Sequence, residues 1–104
     1  MKLDKKRMLC LLQTVPKGKV VTYGDLAESL GNIQLSRAVG SSLHTNTDGD
    51  KYPCYKVVDR NGKLSASYAF GGIDAQQQRL ESDGIVVIQY KVDLSKYRFS
   101  FNLH

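Results

Sequence analysis

The apolar positions at the start of the chain follow a partial helical period. They fall at Leu3, Met8, Leu11, Leu12 and Val15, while Lys2, Lys5, Lys6 and Arg7 lie elsewhere on the helical wheel. Residues spaced three and four apart share one face of a helix. The pattern therefore predicts an amphipathic helix over residues 3–14, which the proline and glycine of the following segment would end.

Two short helices are predicted next, joined by a glycine-containing turn. Thr22 is followed three residues later by Asp25, a spacing that resembles a capping box and opens a helix over residues 23–30. Ser36 is a candidate N-cap for a second helix over residues 37–44. Two short helices with a tight turn and small residues at their contact are typical of a helix-turn-helix.

The rest of the chain predicts a small β element and one longer helix. The elements follow one another without a long linker: a strand at 52–58, an Asn-Gly hairpin-like turn at 59–63, a helix at 74–82 that Asp74 caps, a β-prone run at 85–88 and a turn at 93–97. The fold class predicted is mainly α with a small β element. We expect a winged helix-turn-helix-like single domain over residues 1–104.

The charge of the chain is uneven. The 104 residues carry 15 basic and 10 acidic side chains, a net charge of +5, and all of this excess lies in residues 1–63. Such an excess favours an anionic partner such as nucleic acid, although it also suits a solubilising surface. No apolar run is long enough for a bilayer or a signal peptide, so we expect a cytoplasmic protein without a membrane partner. Two cysteines and two histidines give no zinc-ligand spacing, and we expect no metal and no cofactor.

The second helix of the predicted helix-turn-helix has few charges. Between Ile33 and Thr47 the one charged residue is Arg37, and the residues around it are small. Such a composition allows a close approach to the helix backbone. One interpretation is close packing on another helix. The other is a helix face against a DNA groove, from which Arg37 would project.

Cys54 is a candidate nucleophile. A thiol attacks well only as the thiolate, and its ordinary pKa of about 8.5 leaves only a few per cent ionised at neutral pH. Lys51 and Lys56 lie nearby in the sequence and would lower that pKa. The alternative is a cysteine that fills a small apolar gap. Cys10, on the apolar side of the first helix, is expected to have such a packing role, and both thiols are expected to be free.

Three segments carry a resemblance to a known family: residues 15–27, Val-Pro-Lys-Gly-Lys-Val-Val-Thr-Tyr-Gly-Asp-Leu-Ala; residues 36–40, Ser-Arg-Ala-Val-Gly; and residues 52–58, Tyr-Pro-Cys-Tyr-Lys-Val-Val. In this order and spacing they strongly resemble the O6-alkylguanine-DNA alkyltransferases, which have a P-x-G-x-V-x-[ST]-Y-G-x-[LIV]-A motif, a RAVG helix and a PCHRV loop. The resemblance continues through Gly71-Gly72 to Gly84.

The resemblance implies the family's C-terminal DNA-binding domain without its N-terminal domain, bound in the minor groove of duplex DNA. Arg37 matches the arginine that fills the gap left by a flipped base, and Tyr23 matches the tyrosine that helps to rotate the nucleotide outward. Flipping costs a few kcal/mol, and least for a poorly paired base such as O6-alkylguanine. The residues expected at the DNA are Tyr23, Ser36, Arg37, Ala38, Gly40, Ser41 and Lys56. Other lysines, at 17, 19, 51 and 63, are expected to flank them at phosphates.

The family's chemistry carries over to the cysteine loop. Cys54 matches the cysteine whose thiolate attacks the alkyl carbon, in a reaction that each molecule performs once. Asn46 takes the place of the asparagine that braces the turn before the active site. Small residues near the expected pocket wall, listed here, indicate room for the alkyl group: Ser65, Ala66, Ser67 and Ala69.

Two residues depart from the family's proton relay. Tyr55 stands where the family has a histidine, and Asp83 stands where it has a glutamate. Tyrosine, with an ordinary pKa of about 10, is a poor base at neutral pH. Lys56 replaces the arginine of the loop motif and keeps its charge. Thiolate formation would then depend on Lys56, on backbone dipoles or on a water.

A second branch, the alkyltransferase-like proteins, also resembles this chain in length and in a V-D-L-S-x-Y segment, found at residues 92–97. Its members bind alkylguanine but usually lack the cysteine, and in several organisms they hand the lesion to excision repair. The favoured hypothesis is a monomer that transfers the alkyl group from double-stranded DNA to Cys54. The alternative is a non-catalytic damage-binding protein with excision-repair partners. A third hypothesis is a sequence-specific regulator, against which Gly40, Ser41 and Ser42 count.

Overall fold

A computed structural model describes residues 3–66 and 68–101. Its α-helices are α1 (Lys5–Gln13), α2 (Tyr23–Ser29), α3 (Ser36–His44), α4 (Gly72–Ser82) and α5 (Leu94–Tyr97). Its strands are β1 (Val21–Thr22), β2 (Val57–Val58), β3 (Val87–Ile88) and β4 (Lys91–Val92). Short 3-10 turns precede α3, at Ile33–Leu35, and β2, at Cys54–Lys56. The predicted fold class, mainly helical with small strands, is confirmed.

Two small sheets and one apolar core join these elements. β1 and β2 pair in parallel, with Val21 opposite Val57, and β3 and β4 pair antiparallel. The fully buried apolar side chains come from every part of the chain and include Met8, Leu12, Val20, Leu26, Val39, Val58, Leu80 and Ile85. Within the described residues, no helix is long and apolar enough to cross a membrane.

The helix-turn-helix begins at the predicted capping box. Thr22 Oγ1 accepts a hydrogen bond from the Asp25 N–H at 3.0 Å, and an Asp25 carboxylate oxygen accepts one from the Thr22 N–H at 3.0 Å. Reciprocal bonds of this kind satisfy backbone donors that a helix start would leave open. α2 then packs closely on the following turn: a Cβ at Gly24 would lie 3.1 Å from Ile33 Cδ1. This glycine lets the two helices approach.

Two predicted helix caps are wrong. Ser36 lies inside α3, and its hydroxyl donates to the Ile33 carbonyl at 2.7 Å because a 3-10 turn runs directly into the helix. α4 begins at Gly72, two residues before Asp74. The Asp74 carboxylate instead accepts a hydrogen bond from the Tyr90 hydroxyl at 2.7 Å.

The predicted strand at 52–58 and its hairpin are only partly correct. A 3-10 turn occupies the middle of this segment, and only Val57–Val58 is a strand. The Asn-Gly turn forms, since Asp59 N–H donates to the Lys63 carbonyl at 3.0 Å, but β2 pairs with β1 and not across that turn. The β-prone run at 85–88 supplies β3, whose partner β4 the sequence did not predict.

Cys10 corrects the expected face of α1. It is exposed, whereas Met8 and Leu12 are fully buried. The predicted helix was correct, but its buried stripe is narrower than the apolar pattern indicated. Cys10 therefore has no packing role in the core.

The segment after α5 closes the other side of β1. Val20 N–H donates to the Tyr97 carbonyl at 2.9 Å, and Phe99 N–H donates to the Val20 carbonyl at 2.8 Å. Arg98, between them, pairs with the Asp25 carboxylate through Nε and a terminal nitrogen. The capping box of α2 and the C-terminal segment are thus held by one carboxylate.

Replacing Asp25 with asparagine is expected to lower the free energy of unfolding by about 1–2 kcal/mol at neutral pH. Burial raises the pKa of Asp25, but the hydrogen bond and charge of Arg98 and the Thr22 N–H outweigh it, so the folded pKa is below its ordinary value. The ionised group therefore stabilises the fold above about pH 4, and this contribution is lost as the pH falls through the lower, folded pKa. Urea unfolding of both proteins at pH 6 and pH 3 checks this. If the free energies of unfolding of the two proteins differ by the same amount at both pH values, the prediction is wrong.

Candidate nucleic-acid interface and thiol pocket

A pocket lies where α2, α3 and α4 meet the turn that carries Cys54. Its cavity volume is about 20 Å³, which is room for about one water molecule, and its mouth is open to solvent. The side chains and backbone that line it come from five segments of the chain: Tyr23, Gly40, Leu43, His44, Cys54, Val57, Ser65, Tyr68, Ala69 and Gln76. The structure thus brings the predicted residues Tyr23, Gly40 and Cys54 together.

Asn46 holds the loop that precedes Cys54. Its Nδ2 donates to the Tyr52 carbonyl at 2.8 Å, and its Oδ1 accepts from the Asp48 N–H at 3.1 Å. The side chain is also hydrogen-bonded to the Cys54 thiol. Asn46 is therefore placed to brace the turn.

The Cys54 thiol is buried, with 6% of the residue exposed. Burial raises its pKa above the ordinary value, although the hydrogen bond of Asn46 and the charge of Arg79 act in the opposite direction. The expectation that Lys51 and Lys56 lower this pKa is wrong. The cation that acts on the thiol comes from α4.

Tyr55 and Asp83 are brought together, but not as an acid–base relay. The Tyr55 hydroxyl donates to an Asp83 carboxylate oxygen at 2.6 Å, and the Arg79 guanidinium carbon lies 4.5 Å from the centre of the Tyr55 ring. Burial and the Asp83 carboxylate together raise the pKa of Tyr55 well above its ordinary value. Tyr55 therefore stays protonated at neutral pH and cannot accept the thiol proton.

Lys56 does not lie at the surface, as a DNA contact would require. Only 7% of it is exposed, and its ammonium group donates to the Val15 carbonyl at 2.8 Å. Burial lowers its pKa. The predicted contact of Lys56 with DNA is therefore wrong, because its side chain points into the protein and ties the cysteine loop to the end of α1.

The outer face of α3 has the character that the sequence predicted. Arg37 and Ser41 are exposed, and Ala38 is half-buried. Gly40 lies toward Tyr23, where a Cβ would sit 3.9 Å from the tyrosine ring. The helix thus presents a small, weakly charged surface outward and a pocket wall inward. The roles of Ser36, Arg37, Ala38 and Ser41 toward DNA stay predictions.

Three further residues at the site had no signal in the sequence. Tyr68 lines the pocket, and its buried hydroxyl has no hydrogen-bond partner within the described residues. Gln76 is buried, accepts a hydrogen bond from the Ser65 N–H and donates one to the Tyr55 carbonyl. The Arg79 guanidinium stacks on the Tyr55 ring. Gln76 and Arg79 act through partners far away in the chain, and Tyr68 joins the pocket only in the folded domain, so local patterns show none of the three.

The predicted small wall of the pocket is only partly tested. Ser65 and Ala69 line the pocket, and Ser65 shares a hydrogen bond with Tyr23. Ala66 is exposed. Ser67 lies outside the described residues.

Comparison with known proteins agrees with this geometry. Residues 5–85 match the family model for the DNA-binding domain of 6-O-methylguanine DNA methyltransferase. A bifunctional methyltransferase/endonuclease of Picrophilus torridus is 44% identical over 90 residues, which are 86% of this chain and 30% of that protein. The chain thus spans about a third of this relative. A DNA base-flipping protein of Vibrio parahaemolyticus is 35% identical over 89% of this chain and 92% of its own length.

Solved structures show the same similarity. Atl1 of S. pombe, in complex with damaged DNA containing O6-carboxymethylguanine, superposes with a TM-score of 0.86 at 27% identity and covers 96% of this chain and 99% of its own. OGT of Mycobacterium tuberculosis, in complex with DNA, has a TM-score of 0.72 at 32% identity and covers 81% of this chain and 51% of its own. The chain belongs to the family defined by the DNA-binding domain of 6-O-methylguanine DNA methyltransferase.

Proposed function

We propose that this domain binds duplex DNA containing O6-alkylguanine, takes the flipped base into the thiol pocket and transfers the alkyl group to Cys54. The observation that carries the proposal is the shared pocket: the buried thiol lies beside Tyr23 and Gly40, directly behind the helix that exposes Arg37. The DNA complexes of the two solved relatives support it.

The groove-facing surface suits a minor-groove contact. Small side chains on α3 permit a close approach to the DNA backbone, and Arg37 would fill the gap in the base stack. Lys17, Lys51 and Lys63 are exposed and would contact flanking phosphates, which strengthen binding without selecting the lesion. Selection then depends on the pocket.

The pocket offers polar groups to a base. Burial raises the pKa of Tyr23, so its hydroxyl remains a donor at neutral pH. The Tyr68 hydroxyl is buried without a partner in the described structure, a condition that costs about 1–3 kcal/mol. Guanine has ring nitrogens and an O6 oxygen that accept hydrogen bonds. A flipped guanine would satisfy this hydroxyl.

The transfer is a displacement at the alkyl carbon. The Cys54 thiol loses its proton, the thiolate sulfur forms a bond to the alkyl carbon, and the bond from that carbon to the guanine O6 breaks. The guanine keeps the electron pair and takes up a proton, which balances the one that the thiol lost. The thioether is stable, so one protein molecule reacts once. A reducing cytoplasm would keep the thiol available.

A second candidate function is recognition of the lesion without transfer. The observation that favours it is the Tyr55–Asp83 hydrogen bond, because Tyr55, the residue next to the thiol, donates its proton to Asp83 and cannot act as the base, while burial raises the pKa of the thiol. The base-flipping relative from Vibrio parahaemolyticus, which matches this chain over most of both lengths, is consistent with it. Excision-repair proteins would then receive the marked site.

Intact-mass measurement separates the two functions. The protein is incubated with duplex DNA containing O6-methylguanine under reducing conditions, and we expect one added methyl group, mapped by peptide analysis to Cys54. Cys54→Ser should remain unmodified, and Cys10→Ser should react like the parent because Cys10 lies outside the pocket. Tight binding of the lesion with no change in mass would exclude transfer and establish the second function.

A further inference from the structure

The arginine on α4, Arg79, reaches both sides of the cysteine loop. Its guanidinium carbon lies 4.5 Å from the centre of the Tyr55 ring, directly after Cys54 in the chain. A terminal nitrogen lies 3.4 Å from an Asp50 carboxylate oxygen, shortly before Cys54. The Tyr55 ring is itself held by its hydrogen bond to Asp83. The guanidinium therefore contacts the loop on both sides of the thiol.

Other charged and titratable groups lie around the thiol, and Lys51 is exposed in the same loop. Those that line the pocket or flank the loop come from each neighbouring element: Tyr23 on α2, His44 on α3, Tyr68 before α4, and Asp50, Lys56 and Asp83 around the loop. The two tyrosines are neutral at physiological pH, since burial raises the pKa of each. The Lys56 ammonium faces the Val15 carbonyl. The side-chain charge that acts on the Cys54 thiol is that of Arg79, which lowers the pKa of Cys54.

We propose that Arg79 is a positioning residue for Cys54: its guanidinium, stacked on Tyr55 and paired with Asp50, holds the cysteine loop and stabilises the thiolate in place of an imidazole beside the cysteine. The chemistry suits an arginine, because a guanidinium is planar, always charged and able to stack on an aromatic face while it pairs with a carboxylate. The role of Arg79 in alkyl transfer rests on the proposed function, whereas its effect on the ionisation of the Cys54 thiol does not.

The test measures the reactivity of Cys54 without DNA. In a Cys10→Ser background, which removes the exposed thiol, the rate of alkylation by iodoacetamide is followed by mass against pH. Arg79→Met is expected to move the midpoint of this profile upward by about one pH unit, because an opposite charge near an ionising group shifts its pKa by about that much. Arg79→Lys, which keeps the charge, should stay close to the parent. Gln78→Met, on an exposed position of the same helix, is the matched control.

Each outcome decides the inference. A midpoint unchanged by Arg79→Met, in protein shown to be folded by circular dichroism, overturns it. Equal shifts for the methionine and lysine variants also overturn it, because the charge would then not be the cause. The transfer assay on the parent protein is independent: a parent that gains no methyl group while Arg79→Met still shifts the profile would refute transfer and leave the effect on the thiol in place.

Discussion

Replacing Gln76 with leucine is expected to lower the free energy of unfolding by about 3 kcal/mol. The side chain is 1% exposed, and its Nε2 donates to the carbonyls of Tyr55 and Val57, both at 3.0 Å. Its Oε1 accepts from the Ser65 N–H at 2.8 Å. A buried polar group without a hydrogen-bond partner costs about 1–3 kcal/mol. The substitution removes the Gln76 partner of three backbone groups. The buried apolar side chain of leucine offsets part of this cost.

Urea unfolding measures this loss, and Gln78→Leu is the matched control. Gln78 lies two residues further along α4 and is exposed, so the same change there should alter the free energy of unfolding by less than about 0.5 kcal/mol. Equal effects of the two substitutions would show that leucine perturbs the helix itself and that the three hydrogen bonds contribute little. Because Gln76 joins both walls of the thiol pocket, its loss should also increase the alkylation rate of Cys54.

Replacing Arg37 with alanine is expected to weaken binding to duplex DNA with O6-methylguanine by tenfold or more, with folding intact. The side chain is exposed on α3, so its removal leaves the core unchanged. Under the proposed function the guanidinium occupies the gap left by the flipped base. Stacking of a side chain on bases contributes about 1–3 kcal/mol, and about 1.4 kcal/mol corresponds to a factor of ten in affinity.

Fluorescence anisotropy at fixed salt concentration, with damaged and undamaged duplexes of one sequence, checks the Arg37 prediction. A side chain that fills the stack should matter more for the damaged duplex, whereas a phosphate contact should weaken both equally. Arg60→Ala, on the exposed turn after β2, removes one positive charge elsewhere and shows the general electrostatic effect. Equal losses of affinity for both duplexes would show that Arg37 contacts a phosphate and does not fill the base stack.

The features that the sequence predicted well depend on neighbours in the chain. The capping box joins Thr22 and Asp25 across three positions, and Gly84, with a φ of 86°, ends α4 as expected. The order of three motifs was enough to indicate the family and to single out Tyr23, Gly40 and Cys54, which the structure brings into one pocket. These signals are local or are motifs, and neither requires knowledge of the tertiary contacts.

The features that the sequence did not predict depend on distant partners. Lys56 was expected at the DNA because it replaces the arginine of the loop motif, but its ammonium group donates a hydrogen bond to the carbonyl of Val15, far away in the chain. The segment around Cys54 was predicted as a strand because its valines favour β structure, yet Pro53 and the pairing of β2 with β1 leave only two residues extended. Arg79 and Tyr68 gained roles only where α4 meets the cysteine loop.

The bridge between Val20 and the segment after α5 also protects the protein against association with other chains. β1 pairs with β2 on one side and continues from Val20, whose N–H and carbonyl bond to Tyr97 and Phe99 on the other. Without that segment, the apolar run Val20-Val21 would form an open strand edge, the kind of surface on which a second chain can add a strand and begin to aggregate. The segment after α5 therefore covers an edge of the sheet that lies beside Cys54.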